Sequence, residues 1–263
     1  MTARGEPGVV MLTRRDFLIG SAMGVTTLGT SCGQNDDLSE RLKKFNRPYA
    51  RMNFSPSDPG PVPITKLSGA PWWPENVARP TCVDGHKMSF IGQFRLDEVP
   101  NQQQPPSLLS FHYCEQCMFD GKMPFGWEDE GHQLRYNLSI FPNLDAPIDA
   151  LGIVAESSIS PLTPVLEQGV ETLNIEDIWE KFPETAVPGG IPGLESIPHE
   201  NRNKLGGWPS WVQHPIRPVD KSRGVMWFVG QLDCVVCPDC YTFLFASDVA
   251  TGRQEAEMVL QTT

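Results

Sequence analysis

Three things are scarce in this 263-residue chain, and each scarcity removes a class of function. Positive charge is the first. The formal net charge is −11, and no basic cluster follows the N-terminal segment. A nucleic-acid binder needs a basic face to displace counterions from phosphates, so nucleic acid is set aside as a partner. Long apolar runs are the second. The stretch Phe17 to Gly29 is apolar, but its 13 residues are too few to span a bilayer. Reaction motifs are the third. There is no serine in a nucleophile elbow, no glycine-rich phosphate loop and no HExxH. The histidines His86, His112, His132, His199 and His214 are scattered, and the acids of "GWEDEGH" read as a solvated loop. The expectation is a binding protein rather than an enzyme.

What the N-terminus does hold is an export signal. Arg14 and Arg15 precede Phe17 and Leu18, and "TRRDFL" matches the twin-arginine pattern ahead of a short apolar run. Residues 1–31 are read as this signal segment, with Met11 an alternative start. Thr30 and Ser31 suit a lipoprotein box before Cys32, whereas Gly29 stands where an aliphatic residue belongs. Two outcomes follow. An acylated Cys32 would hang the chain from a membrane; an unmodified one would leave it soluble in the periplasm or cell envelope.

Proline is abundant, with 25 residues, roughly double the usual share. Turns should be many and long helices few. Residues 32–63 read as a short helix, with Leu38, Leu42 and Phe45 on one face, and then an extended Pro-rich linker. From residue 64 the chain repeats itself. Lys66, Leu67, Gly69, Pro71 and Trp73 match Lys204, Leu205, Gly207, Pro209 and Trp211 at an offset of 138 residues. The same offset matches Met88, Phe90, Gly92 and Gln93 with Met226, Phe228, Gly230 and Gln231. "LLSFHY" then aligns with "FLFAS", and "LRYNLSI" with "AEMVLQT", at shrinking offsets that place an insertion in the first copy. Self-similarity at fixed spacing is a fold-level signal. The expected fold is α+β and mainly antiparallel β, with two pseudo-symmetric copies of one unit at 64–141 and 202–263. The connecting segment, 142–201, holds one convincing helix, "NIEDIWEKF", capped by Asn174, with Ile175, Ile178 and Phe182 on one face.

"KLGGWPSW" followed by "MWFVGQLD" resembles the YwqG-like family of bacterial proteins, a group of unknown function. The same kind of Lys-Leu-Gly-Gly-x-Pro-x-Trp motif occurs in eukaryotic programmed-cell-death-2 proteins. The resemblance covers roughly residues 64–263, and the first copy departs from it at Ser68, where the motif has a second glycine. It implies a duplicated, β-rich fold and no particular reaction. The eukaryotic relatives act as chaperones or adaptors for a protein client, which implies a binding role. The residues themselves suggest structure: glycines for positive φ or close approach, a proline to set the turn, a tryptophan to cover the sheet. Gln93 and Gln231 are expected to end strands and bond exposed backbone groups. The functional alternative makes Trp72, Trp73, Trp208 and Trp211 a surface for a protein or small ligand, joined by Phe125 and Trp127 in the insertion.

The cysteines carry the sharpest chemistry. "CEQC" and "CVVCPDC" each set two thiols three residues apart, so that one tight turn can present both to one ion. Cys114, Cys117, Cys237 and Cys240 are the expected zinc ligands, with Cys234, His112 and His132 as alternates. Such a site is closed and structural. Two other readings stay open. With Cys32 acylated, six cysteines remain to form disulfides after export. Alternatively Cys234, Cys237 and Cys240 exchange thiols or hand on a metal. Zinc is preferred because a chain exported in the folded state has reduced thiols when its fold forms.

Overall fold

The computed structural model describes residues 40–120, 136–145, 160–182, 200–222, 224–236, 239–248, 252 and 254–262. Ten strands are present among them: β1 (Arg47–Pro56), β2 (Lys66–Leu67), β3 (Ser89–Arg95), β4 (Leu108–Tyr113), β5 (Tyr136–Phe141), β6 (Leu162–Glu171), β7 (Lys204–Gly206), β8 (Trp227–Asp233), β9 (Cys240–Ala246) and β10 (Ala256–Thr262). They form one sheet in the order β10-β9-β8-β7-β1-β6-β2-β3-β4-β5, and every pairing is antiparallel. The sheet curls until its end strands face each other, where the Met258 amide donates to the Tyr136 hydroxyl at 3.5 Å. The result is an α+β, mainly antiparallel architecture close to a closed barrel.

β3, β4, β8, β9 and β10 are buried on both faces, which is why they read as continuous apolar runs. Side chains alternate along a strand. Val229, Leu232, Leu244, Met258 and Leu260 belong to the central core, together with Ile91, Phe94, Leu109 and Phe111. Phe228, Phe243, Phe245 and Val259 face outward, and Trp211 covers them. Trp72 and Trp73 cover Leu108 and Phe141 on the other half in the same way. The motif tryptophans therefore seal the outer faces of the sheet. Only Trp208 of the four is half-exposed, and it packs against a third cluster with Phe45, Leu173 and Ile178.

The helices are short. α1 spans Glu115–Phe119 and α2 spans Ile175–Lys181. Asn174 caps α2 as expected, its Oδ1 accepting the Asp177 amide at 2.9 Å. Ile178 and Phe182 pack on Leu42 and Phe45, and residues 40–43 are helical; Leu38 lies outside the described residues. The two central strands are the surprise. β1 begins directly after that helix and runs into the Pro-rich linker, and β6 lies in the connecting segment. They pair with each other from Arg47–Glu171 to Pro56–Leu162.

Each half is held by the same local devices. Gln93 and Gln231 lie inside β3 and β8, fully buried, rather than at strand ends. Their Oε1 atoms accept the Trp72 and Ser210 amides, both at 2.9 Å. Their Nε2 atoms donate to carbonyls of the preceding loop: Val62 and Ile64 in one half, Arg202 in the other. The amides are buried, whereas Val62 and Arg202, which supply carbonyls, are exposed residues. A bulge falls at Phe90/Gly92 in β3 and at Phe228/Gly230 in β8. At Gly230 a Cβ would lie 2.4 Å from the Lys204 carbonyl oxygen, so the motif glycine lets β7 approach.

Gly207 is the tightest point. Its φ is +71°, and a Cβ would lie 2.0 Å from Glu171 Oε1. Gly207→Ala should therefore cost about 3 kcal/mol or more, combining backbone strain with displacement of a buried carboxylate. Gly252 is the control, with φ +79° but nothing within 4 Å of a Cβ. Gly252→Ala should cost about 1 kcal/mol. Urea unfolding of both variants checks this, and equal losses would mean that Glu171 is not the obstacle.

Candidate metal centre and aromatic cleft

The CEQC pair sits where β4 ends. Cys114 closes the strand, α1 starts at Glu115, and the turn brings the Cys117 amide to 3.4 Å from Cys114 Sγ. The other side of the site is the tight turn "CVDGH" before β3. Cys82 and His86 pair their backbones there, the Cys82 amide donating to the His86 carbonyl at 2.9 Å. Both turns meet. Cys82, His86, Cys114 and Cys117 each offer one ligand atom, all within 4.8 Å of one another. Cys117 Sγ lies 3.7 Å from Cys82 Sγ and 3.9 Å from His86 Nδ1, and Cys114 Sγ lies 3.7 Å from that nitrogen. Metal–sulfur bonds of ~2.3 Å at tetrahedral angles set ligand separations of about 3.8 Å, so the set fits one four-coordinate ion. The three cysteines are free and buried, and His86 is half-buried. Burial and then the neighbouring sulfurs push the Cys117 thiol up to about 12. A bound cation reverses that, because a coordinating thiol is deprotonated.

The other half holds the same turn without sulfur. Asp220 and Gly224 stand in the places of Cys82 and His86, and the Asp220 amide donates to the Gly224 carbonyl at 2.9 Å. Asp220 Oδ1 accepts from Ser222 Oγ at 2.6 Å and from the Gly224 amide at 2.8 Å. A side chain bonding its own turn does in one half what four ligands can do in the other.

The expected ligands separate accordingly. Cys114 and Cys117 are in the cluster. Cys240 is buried on β9 and disulfide-bonded, its partner outside the described residues. Cys234 is exposed and free, its thiol donating to Asp233 Oδ1 at 3.1 Å, a bond that raises its pKa. Cys237, His132, Phe125, Trp127 and Cys32 lie outside the described residues. His112 is a core residue: its ring packs against Trp73 and Phe90, and burial, then the charge of Arg79, pushes its pKa down to about 3. Cys82 and His86 were legible only as a Cys-x-x-x-His turn around Asp84 and Gly85, a weaker signal than a CxxC pair.

A second feature lies on the other half. A cleft of ≈ 530 Å³ opens between the Trp208 loop, α2 and β8. Trp208 and Trp227 are half-buried in its walls, Trp211 and Phe228 are buried beneath, and Arg47, Lys181 and Arg217 stand exposed around it. Trp208 is rigidly placed, its indole donating to the Phe45 carbonyl and its amide to Glu171 Oε1, both at 2.7 Å. Trp72 and Trp73, at 2% exposure, are not at the surface.

Residues 65–217, more than half of the chain, match the model of a family described as a domain of unknown function, DUF1963. No curated protein matches the chain.

Asp177 gives the cleft a pH signature. Its carboxyl is nearly inaccessible, and burial, partly offset by Arg217 at 2.6 Å, raises its pKa from 3.8 to about 6. A carboxyl with a raised folded pKa favours the folded state below pH 3.8 and loses that advantage as pH rises through about 6. Two pKa units correspond to about 3 kcal/mol. Asp177→Asn should remove this component, so the difference in stability between variant and wild type should change across pH 4 to 7. A difference independent of pH there would contradict it.

Proposed function

We propose, from the premise that the chain belongs to the DUF1963 (YwqG-like) family, that it is an exported, non-catalytic binding protein whose first half is stapled by one structural zinc. The carrying observation is the closed Cys82/His86/Cys114/Cys117 set. Three thiolates and one imidazole suit zinc and fill its four positions, which leaves none for a substrate or water. The hydrogen-bonded counterpart turn at Asp220 supports a purely structural job. The rival, thiol exchange, draws on Cys114 standing at the start of α1. It is weakened by the third cysteine and the histidine, which make a metal site rather than a dithiol. At the other end of the chain, a reactive thiol should have a depressed pKa, and that of Cys234 is raised.

Binding is the role left to the surface, and the partner is a protein or small ligand. The two halves are proposed to descend from one duplicated unit. The matched bulges, glutamines and turns support this, as does a strand order that runs from β2 to β5 outward on one side and β7 to β10 on the other. Export rests on Arg14 and Arg15; a disulfide at Cys240 beside free thiols in the cluster suits a chain that folds reduced and is then oxidised. Among the described residues no helix is long and apolar enough to cross a membrane. Attachment through an acylated Cys32 and release as a soluble protein are the two forms of this proposal.

Metal analysis of the purified chain should find one zinc per molecule. Cys82→Ser or Cys114→Ser should lose it and lower Tm by more than about 10 °C, while Cys234→Ser changes neither. No zinc, with the cluster thiols cycling to disulfide in a stable fold, would favour thiol exchange. A zinc that a chelator removes without unfolding would favour metal handling. In cells, replacing Arg14 and Arg15 by lysine should hold the protein in the cytoplasm; unchanged fractionation would sink the export proposal.

A further inference from the structure

We propose that the cleft beside Trp208 binds a small organic carboxylate carrying an aromatic ring. This deepens the binding reading above and rests on it. Charge is the first ground. The chain carries a net −11, yet the charged residues lining the cleft are Arg47, Lys181, Arg217 and a single acid, Asp177. That acid is engaged, its Oδ1 accepting from Arg217 at 2.6 Å. Arg217 also holds Glu180 at 2.7 Å. Arg47 and Lys181 are left to meet a ligand, which suits a monoanion better than a dianion. An incoming cation would meet both.

Arg47 is the second ground. Its guanidinium lies 3.5 Å from the centre of the Trp208 ring, and it makes no hydrogen bond or ion pair among the described residues. Three other arginines are ion-paired: Arg51 with Glu200, Arg95 with Asp97, Arg217 with Asp177. A guanidinium resting over an indole face with no ion-pair partner has N–H donors to spare for a carboxylate, which an arginine can hold with two parallel bonds.

The third ground is a contrast between the halves. Trp73 and Trp211 occupy matching positions. The Trp73 indole N–H donates to the Val77 carbonyl at 2.7 Å. That of Trp211, which lines the cleft and is 5% exposed, has no hydrogen-bond partner among the described residues. One half satisfies its tryptophan internally; the other leaves an indole N–H buried and unsatisfied in a tryptophan that lines the cleft. A volume of ≈ 530 Å³ suits a small molecule rather than a polymer. Walls of tryptophan and phenylalanine favour an aromatic ring over a bare inorganic anion.

The test is titration calorimetry of the zinc-loaded chain at low ionic strength with three probes of one shape: 2-naphthoate, 2-naphthalenemethanol and 2-naphthylmethylammonium. The naphthoate should bind at least about tenfold more tightly than either of the others, the scale of a charge-assisted bond. Arg47→Gln should abolish most of that preference, and Lys181→Gln should reduce it, with zinc content and circular dichroism confirming the fold. Should Arg47→Gln misfold, Lys181→Gln carries the comparison alone. Tighter binding of the alcohol or the amine, or a naphthoate affinity indifferent to both substitutions, overturns the carboxylate inference but leaves a binding cleft. No binding of any probe overturns the inference and removes the cleft from the binding reading, while the zinc staple is judged separately by metal content.

Discussion

The ion pair between Lys204 and Glu171 organises the centre of this fold. Both side chains are fully buried, 2.6 Å apart, at the junction of β6, β7 and the loop that follows. Burial of two charges is costly unless their remaining donors and acceptors are met. Here they are. Glu171 accepts the amides of Trp208 and Glu200 as well as the ammonium. Lys204 also reaches the Glu200 carbonyl and Ser210 Oγ. Desolvation still pulls the lysine down to about 8 and raises the carboxyl. The motif follows from this arrangement. The lysine must be long enough to reach inward, and the glycine at 207 leaves room for the carboxylate. The tryptophan after it is aimed by the same oxygen that binds the ammonium.

The first half meets the same demand differently. Lys66 is as buried, but its ammonium donates to the Gly60 and Ala70 carbonyls, and Asp58 is the nearest opposing charge. Ser68 stands at φ 56°, where the second half has glycine. This half has a looser hold on its lysine and a mildly strained turn. It is also the half with the cysteine cluster. A metal can supply fixed geometry where carboxylate bonds are fewer, whereas in the second half the carboxylates of Asp220 and Glu255 bond the corresponding turn.

Much of this was legible in the sequence because it was repeated. Eight of the ten strands lie in the two matched stretches, and the match gave their order along the chain. β1 and β6 were missed for a physical reason. β6 carries Pro164 and Gly169 and exposes Glu167, Gln168 and Val165. β1 ends in "NFSP", polar and turn-like. Neither shows clean alternation, because each is only partly covered: β7 reaches β1 over three residues and β2 touches β6 at one. Their pairing with each other, a long-range event, makes them strands. The metal set was half legible. Spacing showed that Cys114 and Cys117 share a turn, but spacing is blind to which distant turn folds against it. β3 pairing with β4 carries "CVDGH" to that place, and only the sheet register could say so.

The halves use matching glutamines and bulges and differ in what else they hold. One holds a four-ligand cluster, satisfies its tryptophan N–H on Val77, and tucks both motif tryptophans away at 2% exposure. The other keeps the ion pair, moves one tryptophan out to position 208, and surrounds it with cations. These differences compensate each other. A half whose motif tryptophans are both covered gains rigidity from within, and among the described residues neither of them reaches the surface. A half that lifts a tryptophan from its cover loses packing there, and the Glu171 carboxylate holding the Trp208 amide offsets that loss. The half-exposed indole depends on the buried charge beneath it, so any binding role for the cleft is coupled to the same pair that links β6 to β7, the two strands flanking β1.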